Sequence, residues 1–545
     1  MIVGGDTLAL RVCAELAAAA CGRVVVLWHR DEDLCARVEH LGATFAARRG
    51  DERESLLAAG VRDAAAVVAL TEDDHTNLHF VLTARDENPK IRVVLRQFNR
   101  ALGRKIEENL NDSSVVSLSS HVAATYAAAA ADPDCFYGVQ FPDIDGPLAG
   151  FSSLSAAEAG VGGCRVDEAQ DRLDARILAV AGDVSPDGAR PLGAEERLVL
   201  FGRVRVRPHE RPRRWRWRVR FEPRRLLRGF DRVVRNVLIA SVLCAVAGSL
   251  AFASLLHLDP LTAAYFVITT MTTTGYGDIS PLGAGTAGKL AAMALMLAGL
   301  IFSGIFIALL SSGFTQARYD AVQGLRRITH GGHIVVCGAG NVGSRVIDFL
   351  TKLGCRVVAV ERVPRPEIVE GSRDGRFELL TGDAARDTTL ALCNIEEAIG
   401  LIALTNGDTE NLEVALGARA RNPSLHIVMR VQQETFERSV SAHFKLEHTY
   451  GTAPLMAPVL AGLAFSPGMR GRVEIAKRAF DIVEMRRSAD AAAPKAPGCI
   501  PLAVWRDGAF VPLRRFKDTA IGELVLFLLP RAQVPAARAS EEGAA

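Results

Sequence analysis

Residues 269–278 read TTMTTTGYGD, and the run lies between two long apolar segments of a chain that is otherwise soluble in composition. Its core is Thr273-Thr274-Gly275-Tyr276-Gly277-Asp278, with glycine at alternate positions. Pointing successive backbone carbonyls at one axis needs a backbone shape that glycine adopts without penalty. Rings of such carbonyls can replace the water around an ion. Val237–Leu256 before the run has twenty residues without a charge, and Leu290–Phe314 after it has twenty-five. At ~1.5 Å rise per residue these give helices of roughly 30–37 Å, enough for a ~30 Å hydrocarbon core. Pro260–Thr272 ends at the glycines, so the spacing predicts a short re-entrant helix. Such a segment is tolerated at membrane depth only when buried in protein or facing water.

The string resembles the pore signature of tetrameric K⁺ channels, with Thr274 where valine is commoner. The resemblance implies a selectivity filter formed by Thr273, Thr274, Gly275, Tyr276, Gly277 and Asp278. K⁺ would sit at the carbonyls of Thr273, Thr274, Gly275 and Tyr276, with Tyr276 bracing the ring from outside. Tyr265 and Phe266 stand where that family carries an aromatic pair clamping the filter. Gly299, twenty-two residues beyond Gly277, stands where ligand-gated bacterial relatives have a hinge glycine. Gly304 competes for that role, and close helix packing is the plain alternative for either. One span–loop–span unit cannot close a pore, so the filter implies a homotetramer.

A net charge of +2 conceals an asymmetry. Residues 203–235 hold fourteen Arg against Glu210, Glu222 and Asp231, a local +11, which leaves about −9 for the remainder. The Arg run ends beside the first span, Arg318, Arg326 and Arg327 follow the second, and Lys289 is the lone basic residue between them. The positive-inside rule therefore puts both termini in the cytoplasm of a cell-membrane protein. Adjacency to a span, with Trp215 and Trp217 interleaved, favours a lipid bilayer over nucleic acid as the partner of the Arg run. The opening MIVGG reads as a short strand rather than a secretory signal, and the ten cysteines fit reduced thiols rather than a disulfide or zinc framework.

The chain is duplicated at an offset of about 334 residues. Thr71 through Asn77 matches Thr405 through Asn411, Asn88-Pro89 matches Asn422-Pro423, and Arg96 matches Arg430. Short β-branched runs alternate with Ala- and Leu-rich stretches, the pattern of a doubly wound parallel sheet. In the second copy HIVVC runs into Gly338-Ala339-Gly340-Asn341-Val342-Gly343, and Glu361 closes the next strand eighteen residues later. Strand, glycine loop, helix and spaced acid form the Rossmann fingerprint, with the acid placed for a ribose 2′-hydroxyl. In the first copy Asp6 replaces Gly340, Ala9 replaces Gly343 and Trp28 replaces Glu361. That copy is expected to bind nucleotide poorly or not at all. Its first strand reads as clipped at Met1, which would place the true start upstream.

These domains resemble the regulator-of-K⁺-conductance (RCK, KTN or TrkA-N) family. The resemblance implies nucleotide contacts by Gly338, Gly340, Asn341, Val342, Gly343, Glu361, Asp383 and Thr405. Ligands in the family include NAD, NADH, ATP and ADP, and Glu361 argues against a 2′-phosphate. The expected organisation is an α-helical two-span membrane pore module plus two α/β Rossmann-like RCK domains with small α+β C-lobes. Its segments are N-lobe 1 (1–130), C-lobe 1 (131–202), an Arg-rich membrane-surface linker (203–236), the pore module (237–315) and a gating linker (316–332). N-lobe 2 (333–465), C-lobe 2 (466–531) and a disordered tail (532–545) complete it. Four chains would supply eight regulatory domains, the number of a complete gating ring, and so a ligand-gated K⁺ channel with no enzymatic role. A Trk- or Ktr-like regulatory subunit normally lacks a pore of its own. A membrane-tethered NAD-dependent oxidoreductase would lack a catalytic His, Lys or Cys constellation beside the glycine loop.

Overall fold

A computed structural model describes residues 1–19, 22–97, 100–142, 146–206, 232–322, 327–446, 448–487, 498–506, 508–513 and 518–531. The chain divides into two units, one of residues 1–209 with 327–545, the other of residues 210–326.

In the first unit the β-branched runs form strands β1 (Ile2–Val3), β2 (Val25–Trp28), β3 (Thr44–Ala47), β4 (Ala66–Ala69), β5 (Arg92–Arg96) and β6 (Ser113–Val116). They pair in parallel in the order β3-β2-β1-β4-β5-β6. Strands β7 (Cys135–Gln140), β8 (Leu148–Ser155), β9 (Ala175–Val180), β10 (Asp183–Val184) and β11 (Arg197–Arg203) follow as an antiparallel sheet. The second copy repeats the parallel sheet with β12 (Ile334–Cys337), β13 (Val357–Glu361), β14 (Glu378–Thr381), β15 (Gly400–Ala403), β16 (His426–Val431) and β17 (His448–Gly451). Its order, β14-β13-β12-β15-β16-β17, is that of the first copy. A second antiparallel sheet holds β18 (Met469–Ile475), β19 (Arg478–Arg486), β20 (Ile500–Arg506), β21 (Ala509–Pro512) and β22 (Leu524–Pro530). Central runs such as AVVA and IVVC are buried along their whole length, as strands covered by helices on both faces must be.

The repeated polar residues are internal braces. Asn77 accepts from the Thr71 N–H and hydroxyl and donates to the Thr71 and Arg96 carbonyls. Asn411 makes the same four bonds to Thr405 and Arg430. Asn88 and Asn422 each donate to three carbonyls of the short helical turn beneath them. Amides that each tie three or four backbone groups explain why these positions survived the duplication.

The copies exchange helices. Leu118–Ala131, which follows β6, packs on Asn341–Lys352 of the second copy, and Thr452–Leu463 packs on Thr7–Ala18 of the first. Both helices are Ala- and Leu-rich with little polar face, so each is satisfied only between two layers. One hydrophobic core consequently contains Ile2, Leu8 and Val26 together with Ile334, Val346 and Val428. The antiparallel lobes share a second core, in which the Phe201 and Phe510 rings lie 5.9 Å apart. Tyr126 donates to the Tyr450 carbonyl at 2.9 Å, and Arg92 donates to the Leu463 carbonyl at 2.6 Å. The two copies therefore fold as one body.

The structure adds detail to the expected segments. Val166–Leu173, within the first C-lobe, is a helix with Asp167 and Glu168 in its first turn, where acids favour the helix dipole. The second antiparallel lobe holds no α-helix among its described residues. Residues 316–322 continue the second membrane helix, and Ile328 is buried in the second copy with its N–H on the Leu392 carbonyl. Arg-block residues 207–231, connector residues 323–326 and the tail 532–545 lie outside the described residues.

The second unit consists of helix Arg232–Leu255, helix Pro260–Met271, a short turn Pro281–Ala284 and helix Gly285–Val322. Two stretches, Asn236–Leu255 and Pro281–Ala308, are long and apolar enough to cross a membrane. The hydroxyls of Ser241, Ser249 and Ser254 bond back to carbonyls of their own helix, so these hydroxyl hydrogens are paired within it. The short helix starts with Asp259 accepting from the Thr262 N–H and Pro260 at its first position. It packs between the two spans through Phe252, Phe266, Val267, Ala292 and Leu295.

Candidate functional site

At the C-terminal end of the short helix the backbone turns left-handed at every second residue: Thr273 (φ +59°), Gly275 (+51°) and Gly277 (+77°). The glycines do this at no cost, whereas Thr273 is a β-branched residue in a region its side chain disfavours. The strained threonine was not foreseen from the sequence, because only glycine advertises such a backbone. The Thr269 carbonyl accepts from the N–H groups of Thr274 (2.9 Å) and Gly275 (3.1 Å), anchoring the loop to the helix. The hydroxyls of Thr272 and Thr274 lie 2.9 Å apart. No atom lies within 4 Å of a Cβ built on Gly275 or Gly277, so the requirement there is conformational, not steric.

Tyr265 stacks on Tyr276 with the rings 2° from parallel and 6.4 Å apart. Phe266 turns the other way, edge-on to Phe252 at 5.0 Å. Of the expected aromatic pair, Tyr265 alone touches the loop, and Phe266 belongs to the packing of the spans. The long helix runs unbroken through Gly299, where a Cβ would come within 2.6 Å of the Met271 backbone. Gly299 thus lets the long helix approach the end of the short one closely, while Gly304 has no atom within 4 Å.

The second sequence-predicted site forms at the C-terminal end of β12. Gly338 has φ +95°, and a Cβ on Gly343 would meet the Gly338 carbonyl oxygen at 1.8 Å, so both glycines serve the turn and the strand–helix approach. Gly340 is different. It is the residue before helix Asn341–Lys352, has φ −67° and nothing within 4 Å of a Cβ, and provides no side-chain cap. The N–H groups at that helix end are left for an outside acceptor.

Glu361, at the end of β13, accepts from the Ala339 N–H (2.8 Å) on one oxygen and from the Arg362 and Val363 N–H groups (2.9 and 3.2 Å) on the other. It thereby stands beside the glycine loop as the fingerprint requires. Arg365 donates to Asn341 Oδ1 (2.9 Å) and the Ala339 carbonyl (3.3 Å). Arg362 bridges Asp383 (3.3 Å) and Glu410 (2.5 Å), and Asp383 also caps the Ala385 N–H. The side chain of Val342 is buried, and the hydroxyl of Thr405 is committed to Asn411. The loop glycines, Asn341, Glu361 and, through Arg362, Asp383 therefore gather around one cleft. Arg362, Arg365 and Glu410 join them unforeseen. The two arginines follow directly on the acid in Glu361-Arg362-Val363-Pro364-Arg365, a proximity the sequence displays.

Residues 1–117 and 334–444 match the TrkA-N domain family, and residues 238–316 match the ion channel family. The chain is a pore module flanked by two TrkA-N domains. It is 32% identical over 197 residues to an uncharacterized protein of Methanothermus fervidus, covering 35% of this chain and 30% of that one. It is 26% identical over 238 residues to Potassium channel protein 1 of Methanocaldococcus jannaschii, 42% of this chain and 66% of that one. With Voltage-gated potassium channel Kch of Escherichia coli it shares 27% over 179 residues, 31% and 42% of the two chains. The chain thus spans from under a third to just under two thirds of the length of these relatives. Among solved structures, the GsuK channel bound to NAD superposes with a TM-score of 0.50 at 15% identity, covering 97% of this chain and 76% of that one. That likeness is one of fold. The ion channel match and the two apolar helices place the chain in a membrane.

The first TrkA-N domain closes the same cleft with its own side chains. Gly4 N–H bonds to the Leu27 carbonyl as Gly338 N–H bonds to Val360, so Trp28 and Glu361 occupy equivalent places. Trp28 lies so close over Gly5 that a Cβ there would meet its indole at 2.1 Å. Asp6 keeps the backbone of Gly340 (φ −82°, extended ψ) but caps helix Thr7–Ala18, accepting from the Ala9 N–H at 2.8 Å. Its other oxygen faces Arg96 at 3.5 Å. Burial raises the Asp6 carboxyl above its usual range, against the pull of the Ala9 N–H and of Arg96.

Proposed function

We propose that four copies of this chain form a K⁺-selective channel whose opening is set by an adenine nucleotide, NAD(H), ATP or ADP, bound to the second TrkA-N domain. The observation that carries conduction is the left-handed backbone at Thr273, Gly275 and Gly277, which suits successive carbonyls facing one axis as a ladder around a dehydrated ion. Exposed apolar residues on the spans, among them Leu243, Leu250, Leu297 and Leu300, suit lipid and neighbouring subunits. Both termini lie in the cytoplasm, as the basic flanks of the spans favour. The paired TrkA-N domains then supply eight domains to a cytoplasmic ring, two from each subunit.

The nucleotide reading rests on the uncapped helix at Gly340 with Glu361 beside it. The group fits, because the space above Gly340 is open and the acid is placed for a ribose hydroxyl. Coupling of ~1–3 kcal/mol per site gives roughly 4–12 kcal/mol over four sites, a range that contains the ~5.5 kcal/mol that swings a gate from 1:99 to 99:1. Gly299 is the place where the inner helix would bend away from the filter helix during that swing.

The test is flux through reconstituted liposomes. K⁺ and Rb⁺ should pass far better than Na⁺, NAD, ATP or ADP should alter the K⁺ flux, and Gly277→Ala should abolish flux while the tetramer still assembles. Equal Na⁺ and K⁺ permeability would contradict the assignment.

A further inference from the structure

The two copies place an arginine at the same position of the fifth parallel strand, Arg96 on β5 and Arg430 on β16, and give it opposite circumstances. Arg96 donates to the Leu70 carbonyl at 3.1 Å and faces the Asp6 carboxylate at 3.5 Å. Arg430 makes no side-chain hydrogen bond and no ion pair among the described residues, and its Nε is buried without a partner. The carboxylate that serves Arg96 sits on the residue equivalent to Gly340, whose backbone has the same extended shape and no side chain. A half-buried guanidinium whose buried Nε has no acceptor and which has no ion-pair partner is costly unless something supplies an anion. The open space in front of Gly340 is where the missing carboxylate would have been.

We infer that Arg430 is the phosphate-binding cation of the second domain, and that Asp6 is a built-in replacement for that phosphate in the first. This rests on the nucleotide reading above and adds a residue and a chemical group to it. The ligand group must carry negative charge and accept hydrogen bonds from two directions. The helix N-terminal N–H groups at Asn341–Gly343 supply one set of donors, and the Arg430 guanidinium supplies the other. Asp6 satisfies the same pair of demands, accepting from the Ala9 N–H with one oxygen and facing Arg96 with the other. Glu361 and Arg430 then divide the ligand, the acid taking ribose hydroxyls and the cation a phosphate. A nucleoside without phosphate gains nothing from Arg430.

The test uses the full-length tetramer. Calorimetry with NAD, ADP and adenosine on the unmodified protein, Arg430→Gln, Arg430→Lys and Glu361→Ala separates the roles. Arg430→Gln should weaken NAD and ADP by about ten- to a hundredfold, the scale of a lost charge-assisted hydrogen bond. Adenosine should bind it as it binds the unmodified protein, and Arg430→Lys should recover part of the loss. If Arg430→Gln binds NAD and ADP undiminished while Glu361→Ala does not, the role of Arg430 is refuted and the nucleotide site stands. If the unmodified protein binds none of the three, the nucleotide reading itself falls. A second arm needs no ligand: Gly340→Asp should raise the melting temperature by giving Arg430 its anion, and the gain should shrink in the Arg430→Gln background. An equal gain in both backgrounds would show that Arg430 does not face that position.

Discussion

The first and second TrkA-N domains have the same strand order, the same Thr–Asn brace and the same Asn clamp, yet they treat one cleft in opposite ways. The second leaves a helix end uncapped, keeps Glu361 against the glycine loop and leaves Arg430 with no hydrogen-bond or ion-pair partner among the described residues. The first caps the helix with Asp6, lays Trp28 over Gly5 and pairs its arginine. Duplication thereby separates scaffold from candidate site: what both copies keep is hydrogen-bonded inside the fold, and what differs lies at the proposed nucleotide site. Thr405 illustrates the point. It resembles a ligand residue by position, but its bonds to Asn411 are those of Thr71 to Asn77 in the copy that has no open site.

Exchanging residues between the copies is the most direct way to break this contrast. The largest effect is expected from Gly340→Asp, which should remove nucleotide binding and nucleotide-dependent gating together while the protein folds normally. The position has room for the side chain, and aspartate is a good N-cap. Calorimetry and single-channel recording on the same preparation would check both halves.

Next comes His333, which precedes β12 as Met1 precedes β1. Its Nε2 lies 2.9 Å from the Cys393 carbonyl, and burial, with His330 and Arg356 nearby, lowers its pKa from 6.5 to about 4. The folded state therefore favours the neutral ring. The stability this gives is fully present above pH ~6.5 and is lost as pH falls towards about 4, a change on the order of 3 kcal/mol. Denaturant unfolding across that window should show the loss, and His333→Met, copying the first domain, should flatten it.

Glu361→Ala should weaken nucleotide binding by ~1.5–3 kcal/mol, the scale for losing hydrogen bonds to a charged group. It should also loosen the loop, because three backbone N–H groups lose their acceptor. Titration by calorimetry gives the first effect and hydrogen exchange at Ala339, Arg362 and Val363 the second. The smallest effect belongs to Asp6→Gly. Because the Asp6 carboxyl is raised in the fold, its charged form subtracts stability at neutral pH, and that loss is recovered as pH falls through the raised pKa. The unmodified protein should therefore gain stability relative to Asp6→Gly on acidification, and the opposite trend would contradict the burial argument.

Much of the fold was legible because it rests on local pattern. Alternating β-branched and Ala-rich runs specify the parallel sheets, uncharged stretches specify the spans, and the offset repeat carries the strand order from one copy to the other. The helix exchange was not legible. Leu118–Ala131 and Thr452–Leu463 are apolar all round, so their composition demands burial without naming the partner. Within the candidate sites, Gly338, Gly343 and Glu361 declared themselves through spacing. Arg430 matched Arg96 in the repeat, but its importance appears only when Asp6 and Gly340 are read as the partner present and the partner missing. The left-handed Thr273 and the close approach at Gly299 are tertiary facts that a threonine and a span glycine leave open.

Because the copies share one core and exchange helices, they cannot be compared as separate fragments, and the full-length chain must be used. The deciding measurement is the number of NAD molecules bound per subunit at saturation, by calorimetry on the full-length protein. The account predicts one per subunit in the unmodified protein and none in Gly340→Asp. Two per subunit, or one that survives Gly340→Asp, would place nucleotide in the first domain and contradict it.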